Sequence, residues 1–156
     1  MNVSIAIQAV RSLWIPLHGR DPLLLPNVAV AEIVDYQEPV PVAGKPDWLL
    51  GEIAWRGQQL PLICYEVLCG GAMPDRQPQA RLTIINTVKD RGGVAFYALL
   101  AAGIPRLLRV EPDTLVQAGE SGAEVPALAQ VRLSGQQATI PDLERIEATL
   151  GEHWQP

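Results

Sequence analysis

The sequence predicts a mainly β chain of small-barrel architecture, on three observations. Short apolar and β-branched runs recur along most of the 156 residues, clusters of turn residues separate them, and one helical period closes the chain. With 13 Gly and 14 Pro the chain is rich in turns, and the regular strand–helix alternation of an α/β fold is missing. A chain of this length buries about two-thirds of its unfolded surface, so neither a metal nor a disulfide is needed to hold it together.

Met1 to Val10 is apolar and weakly patterned, and is assigned to no element. From Ser12, the set Leu13, Ile15 and Leu17 alternates with Ser12, Trp14 and Pro16, the period of two that gives a strand one core face. His18-Gly19-Arg20-Asp21-Pro22 is a turn, Leu23 to Leu25 resumes an extended stretch, and Val28 to Tyr36 is a further β-prone run. Pro39, Pro41, Gly44 and Pro46 make the segment up to Trp48 a surface loop, because proline brings no N–H to a helix or ladder.

Gly51 to Trp55 and Gln58 to Cys64 flank Arg56-Gly57, a hairpin signal, with Cys64 inside its second strand. Arg is not the favoured first residue of such a turn, so the turn type stays open. Gly70 to Gln79 carries Gly71, Pro74 and Pro78 and is taken as the boundary between two halves. Leu82 to Val88, the turn Asp90-Arg91-Gly92-Gly93 and Val94 to Leu100 form a second hairpin, which Leu107 to Val110 continues. Glu111 to Pro126 reads as a long loop, and Ala129 to Leu133 with Gln136 to Ile140 as a third hairpin turning at Ser134-Gly135. Leu143, Ile146 and Leu150 lie at i, i+3 and i+7, with Pro141 and acids before them and Gly151 after, which predicts a helix. Gly57-Gln58-Gln59 recurs 78 residues later as Gly135-Gln136-Gln137, each leading to a proline, a weak sign of two related β units.

Twelve Lys and Arg against 17 Asp and Glu leave a net charge of −5, the wrong sign for a protein that neutralises phosphates, so nucleic acid is not expected as a partner. The longest apolar run, Val94 to Ile104, has eleven residues, about half of what a membrane-spanning helix needs, and the N-terminus lacks the pattern of a signal peptide. A cytoplasmic chain without membrane insertion is the expectation. Cys64 and Cys69 read as structural, since a nucleophilic thiol needs a base and the two histidines, His18 and His153, stand elsewhere in the sequence. Two cysteines without a second pair or a nearby histidine do not make a metal site. No phosphate-binding glycine motif occurs, and Glu144 and Glu147 read as the solvated face of the last helix. No catalytic residue, cofactor or metal is therefore expected.

An interaction protein remains. Arg56, at a hairpin tip, is the residue to single out, although a tip charge taken alone is more simply a solvated one. Trp48 and Trp55 beside it could anchor a contact, yet tryptophan is more often packed into a core.

Leu24-Leu25-Pro26 with Val28 to Val34, the proline-rich loop, Gly51 to Ile63 with its Gly-x4-Arg-Gly-x3-Pro core (Gly51, Arg56, Gly57, Pro61), the apolar strand ending near Leu100 and Ile140-Pro141-Asp142-Leu143 together resemble the CheW coupling adaptors of bacterial chemosensory arrays. The resemblance spans about residues 11–150 as a single domain of two β subdomains meeting near 70–80, with 1–10 as an extension and 151–156 as a tail. It implies two interlocked SH3-like five-stranded β-barrels with a short C-terminal helix and no catalysis. It also implies two partners, the regulatory domain of a CheA-type histidine kinase and a methyl-accepting chemoreceptor, and a partner-binding set of Arg56, Gly57, Gly51, Trp55 and Pro61.

The chain departs from the family pattern after Pro61, where Ile63 is followed by Cys64-Tyr65-Glu66, and at Leu100 to Ile104, where an acid is usual. Such departures suit a divergent paralogue, for instance one serving type IV pili and twitching motility. Two other readings compete: a small β-barrel enzyme using Cys69 or a carboxylate in the inter-barrel cleft, and a decoy that occupies the adaptor's place without activating the kinase.

Overall fold

The computed structural model describes residues 10–91, 94–119 and 125–155. The chain order is β1 (Val10–Ile15), β2 (Leu23–Pro26), β3 (Val30–Asp35), β4 (Leu49–Trp55), β5 (Gln58–Ile63), α1 (Tyr65–Leu68), β6 (Arg81–Arg91), β7 (Val94–Ala101), β8 (Arg106–Val110), β9 (Leu115–Gly119), β10 (Ala127–Leu133), β11 (Gln136–Pro141) and α2 (Leu143–Gly151). The N-terminal segment up to residue 9 and the Gly92-Gly93 turn lie outside the described residues.

The strands form two sheets, β3-β6-β7-β5-β4 and β8-β1-β2-β11-β10-β9. Each has one parallel contact, β5 with β7 and β11 with β2. In each, one stretch of chain serves both edges. Val30–Asp35 pairs with β6 and, a few residues on, Val40 bridges to Glu52 on β4. Likewise β8 pairs with β1 while β9 pairs with β10. Two interlocked barrels result, the first from β3–β7 and the second from β1, β2 and β8–β11.

This corrects three expectations. The stretch 70–79 does not divide the sheets, since it joins α1 to β6 inside the first barrel, and the chain changes sheet instead between β2 and β3 and between β7 and β8. Residues 107–110 do not continue β7 but pair with β1 on the second barrel, where Leu107 lies opposite Leu13. The expected loop 111–126 contains β9, whose Val116 lies opposite Arg132, and gives this sheet a sixth strand. Its mixed polar composition concealed a strand with one half-buried face.

Strand alternation explains three cores. In β1, Leu13 and Ile15 join Leu23, Leu25, Ile63, Ile85, Tyr97 and Leu99 in a core shared by both sheets, while Trp14 turns the other way, into the second barrel with Leu24, Val110 and Val131. In the first barrel Ile53, Trp55, Leu60, Leu62, Leu82 and Ile84 face inward. Strand β2 is apolar on both faces because both are covered, Leu23 and Leu25 by the shared core and Leu24 by the barrel interior.

The C-terminal helix forms as expected. Asp142 caps it, its Oδ1 accepting the Arg145 N–H at 3.1 Å, and Ile146 and Leu150 enter the shared core. Glu147 is not on a solvated face. It is buried, and its carboxylate accepts the backbone N–H groups of Val88 and Lys89 at 2.7 and 3.0 Å, which ties α2 to β6 of the other barrel. A second tie runs the opposite way, where the Tyr65 hydroxyl on α1 donates to the Pro126 carbonyl at 3.0 Å.

Candidate functional site

The β4–β5 ladder runs from Leu49 opposite Ile63 to Trp55 opposite Gln58, with a bulge between Leu49 and Gly51. Arg56 and Gly57 both hold positive φ, 47° and 76°, the signature of a type I′ turn, which settles the turn type. Asn or Gly is the favoured first residue of this turn, so an arginine there carries a local conformational cost.

The arginine side chain is held in place. Its guanidinium lies over the Trp55 ring at 4.7 Å and 3.1 Å from Glu32 Oε1 on β3. The same oxygen accepts the Trp55 indole N–H at 2.9 Å, and the indole packs on Phe96 of β7 with ring centroids 4.8 Å apart. The Arg56 side chain is 66% exposed and that of Glu32 40%, so this ion pair adds little to stability. Its effect is orientation. A guanidinium has five N–H donors, and this one keeps several for an external carboxylate or carbonyl.

The other members of the set lie inside the fold. Trp55 and Pro61 are buried, Pro61 opposite Glu52 within the ladder. Gly51 is also buried, at φ +143°, and a Cβ there would meet the Val40 carbonyl oxygen at 2.3 Å. That contact is the barrel closure itself, because Val40 and Glu52 exchange both backbone N–H···O bonds at 2.9 Å. Gln37 reinforces it, its side-chain amide bonding both the N–H and the carbonyl of Ala54. Arg56 and Gly57 therefore reach the surface, while Gly51, Trp55 and Pro61 build the platform beneath them.

Sequence reasoning missed Glu32 and Phe96. Glu32 had a signal, as a lone acid in the β-prone run 28–34, but nothing in the sequence aims it at Arg56. Trp48 packs half-buried on the shared core, edge-on to His153 at 5.5 Å.

The thiols do not form a catalytic pair. Cys64 is not within β5 but stands at the N-cap of α1, fully buried, and burial pushes its thiol up to about 12. Its Sγ lies 3.5 Å from Glu66 Oε1, and the other oxygen of that buried carboxylate accepts the His18 backbone N–H at 3.0 Å. Burial also raises Cys69, so both sulfurs remain thiols at neutral pH.

A family model of the CheW-like domain matches residues 12–149. The chain belongs to the CheW-like domain family. Among solved structures it is similar to the scaffolding protein TtCheW from Thermoanaerobacter tengcongensis, with a TM-score of 0.76 and 13% identity over 94% of this chain and 97% of that one. At that identity the likeness speaks for the fold, and it agrees with the two interlocked SH3-like barrels. A sequence search of curated proteins returned no match. Among the described residues no helix of this CheW-like chain is long and apolar enough to cross a membrane.

Proposed function

We propose that this CheW-like chain is a non-catalytic cytoplasmic adaptor that couples a methyl-accepting chemoreceptor to the regulatory domain of a CheA-type histidine kinase, in a chemosensory system serving chemotaxis or pilus-based motility. The observation that carries the reading is Arg56, an exposed guanidinium kept in a left-handed turn position and oriented by Glu32 and Trp55. A residue that costs conformational energy and adds little to stability is better explained by an external contact than by folding. The raised thiols speak against the Cys69 enzyme, because catalysis would require the thiolate.

Calorimetry of the intact chain against the isolated regulatory domain of a histidine kinase encoded by the same genome tests the proposal. Saturable binding is expected, weakened at least about tenfold, or about 1.4 kcal/mol, by Arg56→Ala with an unchanged circular dichroism spectrum. Arg56→Ala is preferred to charge reversal, which would set two carboxylates against each other at Glu32. Full affinity in the variant would move the kinase surface off this hairpin, and absence of binding by the folded wild type would overturn the adaptor reading.

A further inference from the structure

Helix α2 follows β11 and so belongs by chain order to the second barrel, yet its two ends are fastened to different barrels. Its first turn is held beside the start of β10, where the Asp142 N–H donates to the Pro126 carbonyl at 2.9 Å and the Arg145 guanidinium to the Val125 carbonyl at 3.0 Å. Its second half reaches the first barrel, where Glu147 accepts the Val88 and Lys89 N–H groups. Beyond the helix, the Lys45 ammonium of the β3–β4 loop donates to the His153 carbonyl, and His153 stands edge-on to Trp48. Ile146, Leu150 and Trp154 enter the shared core along the way, so the segment lies as a strap across the seam between the barrels.

The fastening at Glu147 replaces part of a ladder. Strands β6 and β7 pair in register as far as Asn86 opposite Phe96 and are irregular from there to Arg91 opposite Val94. In a regular strand successive N–H groups point to opposite sides, so two that converge on one carboxylate belong to this break. Val88 and Lys89 are exposed, and Glu147 is buried only by the helix lying on them, so water satisfies all three groups once the helix lifts. The seam beneath is also imperfectly closed. A void of about 10 Å³ lies between Thr87, Lys89, Val94, Glu147, Leu150 and Gly151. The Tyr97 hydroxyl, fully buried on the shared-core face of β7, has no hydrogen-bond partner among the described residues. Burial and, after it, the charge of Glu147 push its pKa up, so it stays a proton donor without an acceptor, and an opening that admits water supplies the bond it lacks.

From this we infer that α2, with the chain through Trp154, is a detachable strap, which lifts from the first barrel and unwinds as one unit while both barrels stay folded, with Glu147 as its latch. Unwinding accompanies lifting because a helix of nine residues does not persist in water without the face it packs on. The fixed end is the Pro126 carbonyl, which accepts both the Asp142 N–H and the Tyr65 hydroxyl and so joins the strap, the second barrel and α1 of the first. With the strap closed the two barrels move as one body. With it open they are joined by the rest of the shared core and by the Tyr65–Pro126 bond. The inference concerns the seam between the barrels and does not depend on the kinase reading.

The test is amide hydrogen exchange of the ¹⁵N-labelled intact chain, followed by NMR in low concentrations of guanidinium chloride. In the wild type the amides of Val88, Lys89 and Leu150 are expected to exchange through one common opening, with protection at least about a hundredfold below that of Ile84 on β6 and Val131 on β10. Such a pattern couples residues about sixty apart in the chain and separates Val88 from Ile84 on the same strand, which neither a frayed hairpin tip nor a helix fixed in the fold produces. Glu147→Ala should speed exchange at all three sites at least about tenfold, and Glu147→Gln, which keeps one acceptor, by less. Lys89→Ala, which removes only the exposed pair with Glu144, should leave Leu150 unchanged. If Glu147→Ala does not fold, the wild-type pattern and Glu147→Gln decide. Leu150 exchanging as slowly as Ile84, Val88 and Lys89 opening without Leu150, or a Leu150 rate insensitive to the Glu147 variants would each overturn the inference.

Discussion

At the tip of β4–β5 an indole, a phenyl ring and an internally neutralised arginine close the mouth of the first barrel. At the tip of β10–β11, on a ladder with the same register, the same bulge and the same turn, a leucine and a serine border a cleft that is also lined by Trp14, Arg106, Arg109 and Glu111. Backbone geometry is therefore shared and the surface chemistry is not. The turn needs two residues at positive φ, and Arg-Gly and Ser-Gly both supply them, so the side chain at the first position is free to serve something other than folding. The bulge shows the reverse case. Gly51 is required in the first barrel because the Val40 backbone crosses close to it, while Ala129 occupies the same place in the second, where β9 runs alongside as a full strand.

The comparison breaks most severely at that position. Gly51→Ala is expected to cost about 3 kcal/mol, from the collision with Val40 together with a left-handed φ, and Ala129→Gly no more than about 1 kcal/mol. Thermal or denaturant unfolding of the two variants measures the difference, and equal losses would mean that the two closures are not distinguished by this contact.

Next in size is Trp55→Leu, which gives the first mouth the residue of the second. It removes the contact with Phe96 and the indole bond to Glu32, for an expected loss of about 2–3 kcal/mol. Quenching of Arg56 order should accompany it, visible as a sharpened guanidinium resonance in NMR spectra. A loss below about 1 kcal/mol would show that the leucine is accommodated as well in one barrel as in the other.

The smallest effect sharpens the comparison instead. Arg56→Asn places the favoured residue in the type I′ turn and is expected to stabilise the fold by about 0.5 kcal/mol while weakening partner binding. Ser134→Asn should stabilise by a similar amount, with kinase binding unchanged. Denaturant midpoints and calorimetry on both variants separate the two quantities, and a destabilised Arg56→Asn would assign the arginine to folding.

The hairpins were legible because their information is local. Alternation in Gly51 to Trp55 and Gln58 to Ile63, a glycine at the second turn position, and the Pro141 to Gly151 pattern each lie within a dozen residues. Even the repeat of 78 residues was visible as Gly-Gln-Gln, although three residues could not show that a ladder, a bulge and a turn came with it. Of the candidate site, Arg56 and Gly57 were readable as a tip. That Gly51, Trp55 and Pro61 face inward was not, because a motif records which residues occur together and not which of them solvent reaches. Glu147 illustrates the same gap, since its buried bonds to Val88 and Lys89 come from a strand some sixty residues away.

By itself, then, the sequence determined the turns, the helix and the apolar face of most strands, all of which follow from φ preferences and side-chain period. It also carried the family pattern. The tertiary structure alone decided which strands share a sheet, because alternation says that a face must be covered and is silent on what covers it. Burying Leu13 and Ile15 in a core common to both barrels places the β1–β2 hairpin between β8 and β11 rather than beside β3, the next strand in the chain. The same packing leaves one mouth filled and the other open, since volume and charge at a barrel end are sums over strands that meet only in the folded protein.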